Sequence, residues 1–287
     1  MSGGSYYVPA SSKWPILACI GLGAMMLGTG LVLVYGGAGM PVMLVGLVGV
    51  LLVMALWFRD VVLESRQGLY DDQMDRSFRW GMGWFIFSEV MFFAAFFGTL
   101  FYVRTFALPW LDGEGAKGVA ALLWPDFNAS WPLLEPPGDG VQGPSATLSP
   151  WHLPLVNTLI LVGSSITLTV AHEGLKEGHR RVARHWLGLT VLLGICFIAI
   201  QGLEYREAYL HYGITLQAGI YGATFFLLTG FHGAHVIIGT VILMVMLVRV
   251  YRGHFAPDNQ FGFEAAAWYW HFVDVVWIGL FLFVYVF

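Results

Sequence analysis

From Phe78 to Val103 the chain reads FRWGMGWFIFSEVMFFAAFFGTLFYV, with a single carboxylate, Glu89, near the middle of an otherwise apolar run. The run is long enough to cross the roughly 30 Å of hydrocarbon in a bilayer. An ionised acid in hydrocarbon is costly, so such a residue faces protein, pairs with a partner or stays protonated, and it marks a functional or structural site. The positions three and four residues away, Phe85, Ile86, Phe92 and Phe93, are all apolar. A partner for Glu89 therefore has to come from another helix, a lipid head group or water.

Six more apolar runs of comparable length follow the same logic: Trp14 to Tyr35, about Pro41 to Phe58, about Pro150 to His172, Trp186 to about Tyr205, about Leu216 to Val250, and Phe263 to Phe287. With 57% apolar and only 11% charged residues, the chain does not have the composition of a soluble domain. The expected fold is all-α: a polytopic membrane protein of seven transmembrane helices. Residues 1–58 form an N-terminal tail and a two-helix hairpin, in which Gly21, Gly28, Gly46 and Gly49 allow close backbone contact. Residues 59–77, of alternating charge, read as a solvated cytoplasmic connection, and residues 78–287 read as a five-helix bundle. Within that bundle 105–149, rich in proline, glycine and tryptophan, cannot span and reads as an extracytoplasmic loop packed by its own aromatics or by partner subunits. The fourth run carries Asn157, Thr158, Ser164, Ser165, Thr167 and Thr169, which are expected to face neighbouring helices. The basic stretch KEGHRRVARH after it reads as a loop.

Orientation follows from lysine and arginine. With the N terminus in the cytoplasm, Lys13, Arg59, Arg66, Arg76, Arg79, Lys176, Arg180, Arg181, Arg184, Arg249 and Arg252 fall inside, against Arg104, Lys117 and Arg206 outside. The C terminus is then periplasmic. Cys19 and Cys196 both lie in apolar runs, which argues against a disulfide or a thiolate metal site. No cleavable signal is evident, and no internal repeat suggests a transporter.

Three constellations could carry chemistry. His232 and His235 are three apart on one helix, as are His271 and Asp274 on the last, so these four could frame a metal or haem, relay protons with Glu89, or simply hydrogen-bond between helices. Interhelical hydrogen bonding is the default for them and for Glu264. Arg249, Arg252 and His254 form a basic edge at a cytoplasmic helix end, suited to anionic lipid head groups, to which Arg59 and Arg79 could add.

The runs SEVMFF around Glu89, PLVNTLILVGSSITLTVAHEG in the fourth span, GIYGATFFLLTGFHGAHVIIG in the sixth and FGFEAAAWYWHFVDVVW in the seventh resemble subunit III of cytochrome c oxidase, a haem-copper oxidase. WPI at Trp14 and WFRDVV at Trp57 extend the likeness over nearly the whole chain. One departure stands out: the family often has a His-Thr pair shortly before the third helix, where this chain has Gly68, Leu69, Tyr70 and Asp71. A role for that histidine is therefore not transferable. The presence of the first hairpin favours the cytochrome c type over the related quinol oxidases.

The resemblance implies seven helices split two plus five by a cleft that holds phospholipid, in a multi-pass protein of a bacterial inner membrane. It implies a non-catalytic core subunit with no redox centre, no catalytic residue and no metal ligand of its own. Haem and copper would lie in subunit I, the main contact, with subunit II also in the complex and no nucleic acid involved. Its role would be to stabilise the oxygen-reducing, proton-pumping subunit I, to support proton uptake and to guide oxygen inward, with Glu89 a proton or lipid site. The alternative is an independent proton or solute transporter using Glu89 and the buried histidines.

Overall fold

The structure, a computed structural model, describes residues 11–115, 119–138, 140–255 and 260–287. Lys117 and most of the N-terminal tail lie outside the described residues. All secondary structure among those residues is helical: α1 Trp14–Tyr35, α2 Met40–Arg66, α3 Asp72–Tyr102, the short α4 Leu108–Leu111 and α5 Ala120–Leu123, then α6 Leu153–Lys176, α7 Arg180–His211, α8 Gly219–Tyr251 and α9 Phe261–Leu280. Six helical stretches are long and apolar enough to cross a membrane, and the first of these, Trp14–Arg66, comprises α1 and α2 together. The chain is thus a multi-pass helical membrane protein. It divides into two compact units, Met1–Trp80 and Gly81–Phe287.

In the first unit α1 ends at Gly36, whose φ of 67° is open to glycine and strained for other residues. A 3₁₀ turn, Gly36–Gly39, reverses the chain into α2. The two helices then pack backbone to backbone. A Cβ on Gly28 would lie 2.1 Å from the Met43 amide nitrogen, and one on Gly46 would lie 2.3 Å from that of Met25, while Gly21 abuts Val50. These pairings run in opposite directions along the two helices, so the hairpin is antiparallel and its seam is glycine. At the open end the Trp14 indole Nε1–H donates to Asp60 Oδ2 at 3.0 Å.

The charged segment 59–77 departs from the solvated loop expected for it. Helix α2 continues through it to Arg66 and α3 begins at Asp72, so only 67–71 are non-helical. The physical reason is local. The Asp71 carboxylate accepts the Met74 amide at 2.8 Å and caps α3, and Asp72 and Asp75 occupy its first turn, where the helix dipole favours acids. Tyr70 Oη donates to Glu64 Oε2 at 2.7 Å and fastens the turn to α2. The basic stretch KEGHRRVARH is likewise helical from Arg180 onward, leaving 177–179 as the link.

In the second unit α6, α7, α8 and α9 pack in sequence, and α9 closes back on α6. Their shared centre is the fully buried Trp270 of α9. Its indole N–H donates to Ser164 Oγ on α6 at 2.9 Å, and a Cβ on Gly194 of α7 or on Gly239 of α8 would each come within 2.9 Å of the ring. Two turns further on, the Trp277 N–H donates to Thr158 Oγ1 at 2.9 Å, and Thr167 on α6 meets Thr190 on α7 at 2.8 Å. Thr158, Ser164, Ser165 and Thr167 face neighbouring helices as expected, whereas Thr169 is exposed and donates back to the Ser165 carbonyl of its own helix. The α3 residues of this unit join through phenylalanines: Phe93 packs on Phe272, Phe92 on Phe231 and Phe97 on Phe283.

Between α3 and α6 the chain makes a π-helical turn, Val103–Ala107, and then a loop with a small core of its own, in which Val103, Leu108 and Leu133 are covered by Phe127, Ala129, Trp131 and Ile220. The Arg104 guanidinium lies 5.4 Å from the centroid of the Trp131 ring.

The glycine seam yields a test. Gly28→Val forces a side chain into the α2 backbone and is expected to destabilise the hairpin by about 2–3 kcal/mol or more. Gly30→Val, which meets nothing within 4 Å, should be neutral. Thermal unfolding of the detergent-purified variants checks the pair, and equal stability of the two would refute the seam.

Candidate functional site

Glu89 finds its partner on α8. His235 Nε2 lies 2.9 Å from Glu89 Oε2, and the two side chains keep 14% and 22% of their surface exposed respectively. The other ring nitrogen, Nδ1, lies 2.6 Å from the Phe231 carbonyl oxygen one turn back on α8. A carbonyl only accepts, so Nδ1 carries a proton. Nε2 and the carboxyl then share one further proton between them, either as a neutral acid donating to imidazole or as imidazolium donating to carboxylate. The pair has no net charge in either form, which is what an apolar surrounding tolerates. That surrounding is aromatic: Phe92, Phe93, Tyr269 and Phe272 all lie with ring centroids 5.1 to 6.4 Å from that of His235.

His232 is only three residues away, yet it turns elsewhere. Its Nε2–H donates to the Val273 carbonyl on α9 at 3.2 Å, and the buried ring packs against Trp277 and Phe197. His271 Nδ1 meets Ser165 Oγ of α6 at 2.7 Å and approaches Asp274 Oδ2 at 3.7 Å, too far for a hydrogen bond. Both Asp274 carboxyl oxygens are buried without a hydrogen-bond partner among the described residues. Glu264 sits in the first turn of α9. The structure therefore joins Glu89 to His235 and His271 to Ser165, and it does not gather these residues into one centre. Among the described residues no three His, Cys, Asp or Glu side chains converge as a metal site would require.

A second buried acid went unremarked as a site in the sequence. Glu204 of α7 is fully buried. It accepts hydrogen bonds from Tyr285 Oη and, at 3.2 Å, from Gln201 Nε2, whose Oε1 in turn faces Asn157 Nδ2 of α6 at 3.4 Å. The available signal was the pair Gln201 and Glu204, three apart at the end of an apolar run. Their partner Tyr285 is far along the chain and gave no sign.

The basic edge also differs from its linear reading. Arg249 is folded under the chain, its guanidinium 4.4 Å from the Phe255 ring centroid and its Nη1 donating to Met246 Sδ at 3.7 Å. Arg252 is exposed, and His254 is partly buried just beyond it. Two residues of the other basic segment converge here: Arg180 Nη2 donates to the Phe255 carbonyl at 3.3 Å and Arg184 lies over Tyr251 at 5.2 Å. The edge is thus shared by the start of α7 and the end of α8. In the first unit Arg79 is paired with Asp75 at 2.7 Å, and Arg59 is exposed on α2.

Comparison with known proteins decides the family. The family model described as cytochrome c oxidase subunit III matches residues 4–111 and 122–287. The chain is 40% identical over 282 residues to cytochrome c oxidase subunit 3 of Coturnix japonica and to that of Gadus morhua, and 39% identical to that of Danio rerio. Each of these alignments covers 98% of this chain and 96% of the relative. The chain belongs to the cytochrome c oxidase subunit III family. The subunit III match includes α1 and α2, every long helix of the second unit and the Glu89–His235 pair. It leaves out residues 1–3 and 112–121, the latter following α4 and ending within α5.

The shared proton makes Glu89→Gln a mild change, because the amide can still donate to His235 Nε2. Glu89→Ala instead leaves a cavity and an unpartnered imidazole nitrogen, at an expected cost of about 1–3 kcal/mol. Thermal unfolding should order the variants as wild type near Gln, both above Ala. An equal loss in Gln and Ala would show that the carboxyl group itself is required for stability.

Proposed function

We propose that this chain is a non-catalytic core subunit of a cytochrome c oxidase complex, spanning the membrane seven times. The observation that carries the reading is the match to subunit III relatives along nearly the entire chain at about 40% identity. In this reading the subunit binds phospholipid. The subunit supports the partner that bears haem and copper, subunit I, with subunit II nearby. It stabilises that partner, helps to sustain its proton uptake and guides oxygen inward.

Several features of the chain support this role. Buried polar groups tie its helices together, as Trp270 to Ser164 and Trp277 to Thr158, an arrangement suited to a scaffold. The exposed Arg252 and the convergent Arg180 and Arg184 form an edge whose charge suits anionic head groups. The N terminus is cytoplasmic and the C terminus periplasmic, on the strength of the lysine and arginine distribution. The competing reading, an independent transporter, rests on the Glu89–His235 pair as a proton carrier.

Purification separates the two readings. An affinity tag on this chain, used on membranes solubilised in mild detergent, should recover a complex with haem absorption and oxygen reduction, while the isolated chain should show neither. A lone chain that moves protons or solute in liposomes would favour the transporter. For orientation, a cysteine placed at Arg181 should be shielded from a membrane-impermeant thiol reagent in intact cells, whereas one at Gly138 should react. The opposite pattern would invert the topology.

A further inference from the structure

Glu204 sits about two turns from the end of α7, on the side of the long loop between α4 and α6. Its Oε1 is fully engaged by Tyr285 and Gln201. Its other oxygen, Oε2, is buried with no hydrogen-bond partner among the described residues, and the same is true of Asn157 Oδ1 in the same chain of contacts. Buried carboxyl oxygens do not stay unsatisfied in an apolar bundle without a large cost.

The geometry also offers a supply. Tyr285, which donates to Glu204, also lines a cavity of about 340 Å³, together with Thr147, Ser149, Tyr212 and Tyr221. A space of this size, with hydroxyl-bearing residues in its wall, is roomy and polar enough to hold ordered water. Tyr285 thus belongs both to the wall of this space and to the hydrogen-bonded row at Glu204.

We propose that Glu204 Oε2 is a water-binding site supplied from this cavity past Tyr285. The row Asn157, Gln201, Glu204 and Tyr285 is then the inner end of a hydrated pocket, and Glu204 exchanges its proton with water on the loop side. Water is the ligand of choice because it can donate to a carboxylate and accept from a carboxylic acid, so it satisfies Oε2 in both states. A metal ion would call for further anionic or imidazole ligands, and among the described residues no three such side chains converge. Tyr285 is the link between the two: its hydroxyl donates to Oε1, and the residue lines the cavity.

The test is a density map of the assembled complex, purified from its own membranes, at a resolution that shows ordered water. A peak at hydrogen-bonding distance from Glu204 Oε2 is expected in the wild type and in Glu204→Gln, and its loss in Glu204→Leu. In Tyr285→Phe the water column should advance to within hydrogen-bonding distance of Oε1. Should the leucine variant fail to assemble, the wild-type and glutamine maps still decide. Absence of a peak beside Oε2 in the wild type, with protein atoms in contact there, would overturn the proposal. So would a peak at metal-ligand distance whose height follows the cation in the buffer.

Discussion

A membrane supplies no hydrophobic drive between helices, because lipid chains are as apolar as the side chains they would replace, so association rests on close packing and on polar contacts that hydrocarbon cannot offer. Trp270 meets both requirements in one side chain. Its indole N–H is held by Ser164 of α6, and its ring occupies the room left by Gly194 of α7 and Gly239 of α8. Four helices take their spacing from that single ring. Trp277 repeats the device nearby, against Thr158 and between Phe197 and His232. An aliphatic residue at either place would fill space without choosing a partner.

The Glu89–His235 pair extends the same principle to ionisable groups. One ring nitrogen is committed to a backbone carbonyl, so the carboxyl and the other nitrogen hold one proton between them and the pair stays neutral as a unit. The cost of burying an acid is met by burying its complement beside it, among aromatic rings whose edges are mildly polar. Glu204 solves the same problem differently, with a phenol and an amide on one oxygen.

Much of this was legible in the sequence, and the misses share a cause. Apolar runs of bilayer length located every long helix, and the quoted motifs pointed to the family that the comparisons then showed. The apolar neighbours of Glu89 left another helix, a lipid head group or water as its partner, and the structure supplies the helix, through His235. Hydropathy marks where membrane ends, not where helix ends, which is why 59–66 and 180–184 looked like loops. They are helical because the backbone hydrogen bonds of α2 and α7 do not stop where the apolar run stops. A spacing of three residues places side chains about 60° apart around a helix, enough for His232 to reach α9 while His235 reaches α3. Tyr285 and Glu204 are brought together only by the return of the last helix, which no local pattern encodes.

The glycine seam between α1 and α2 has a consequence for how the protein is made. Its close contacts, Gly28 with Met43 and Gly46 with Met25, lie entirely within the first unit, as does the Trp14 to Asp60 hydrogen bond that joins the open end. A ribosome delivers both helices before any of α3 emerges. The hairpin can therefore reach its final packing while the remaining helices are still being synthesised, with its two strands of helix crossing the bilayer as one inserted element. Later helices need not wait for, or rearrange, the part of the chain that entered the membrane first.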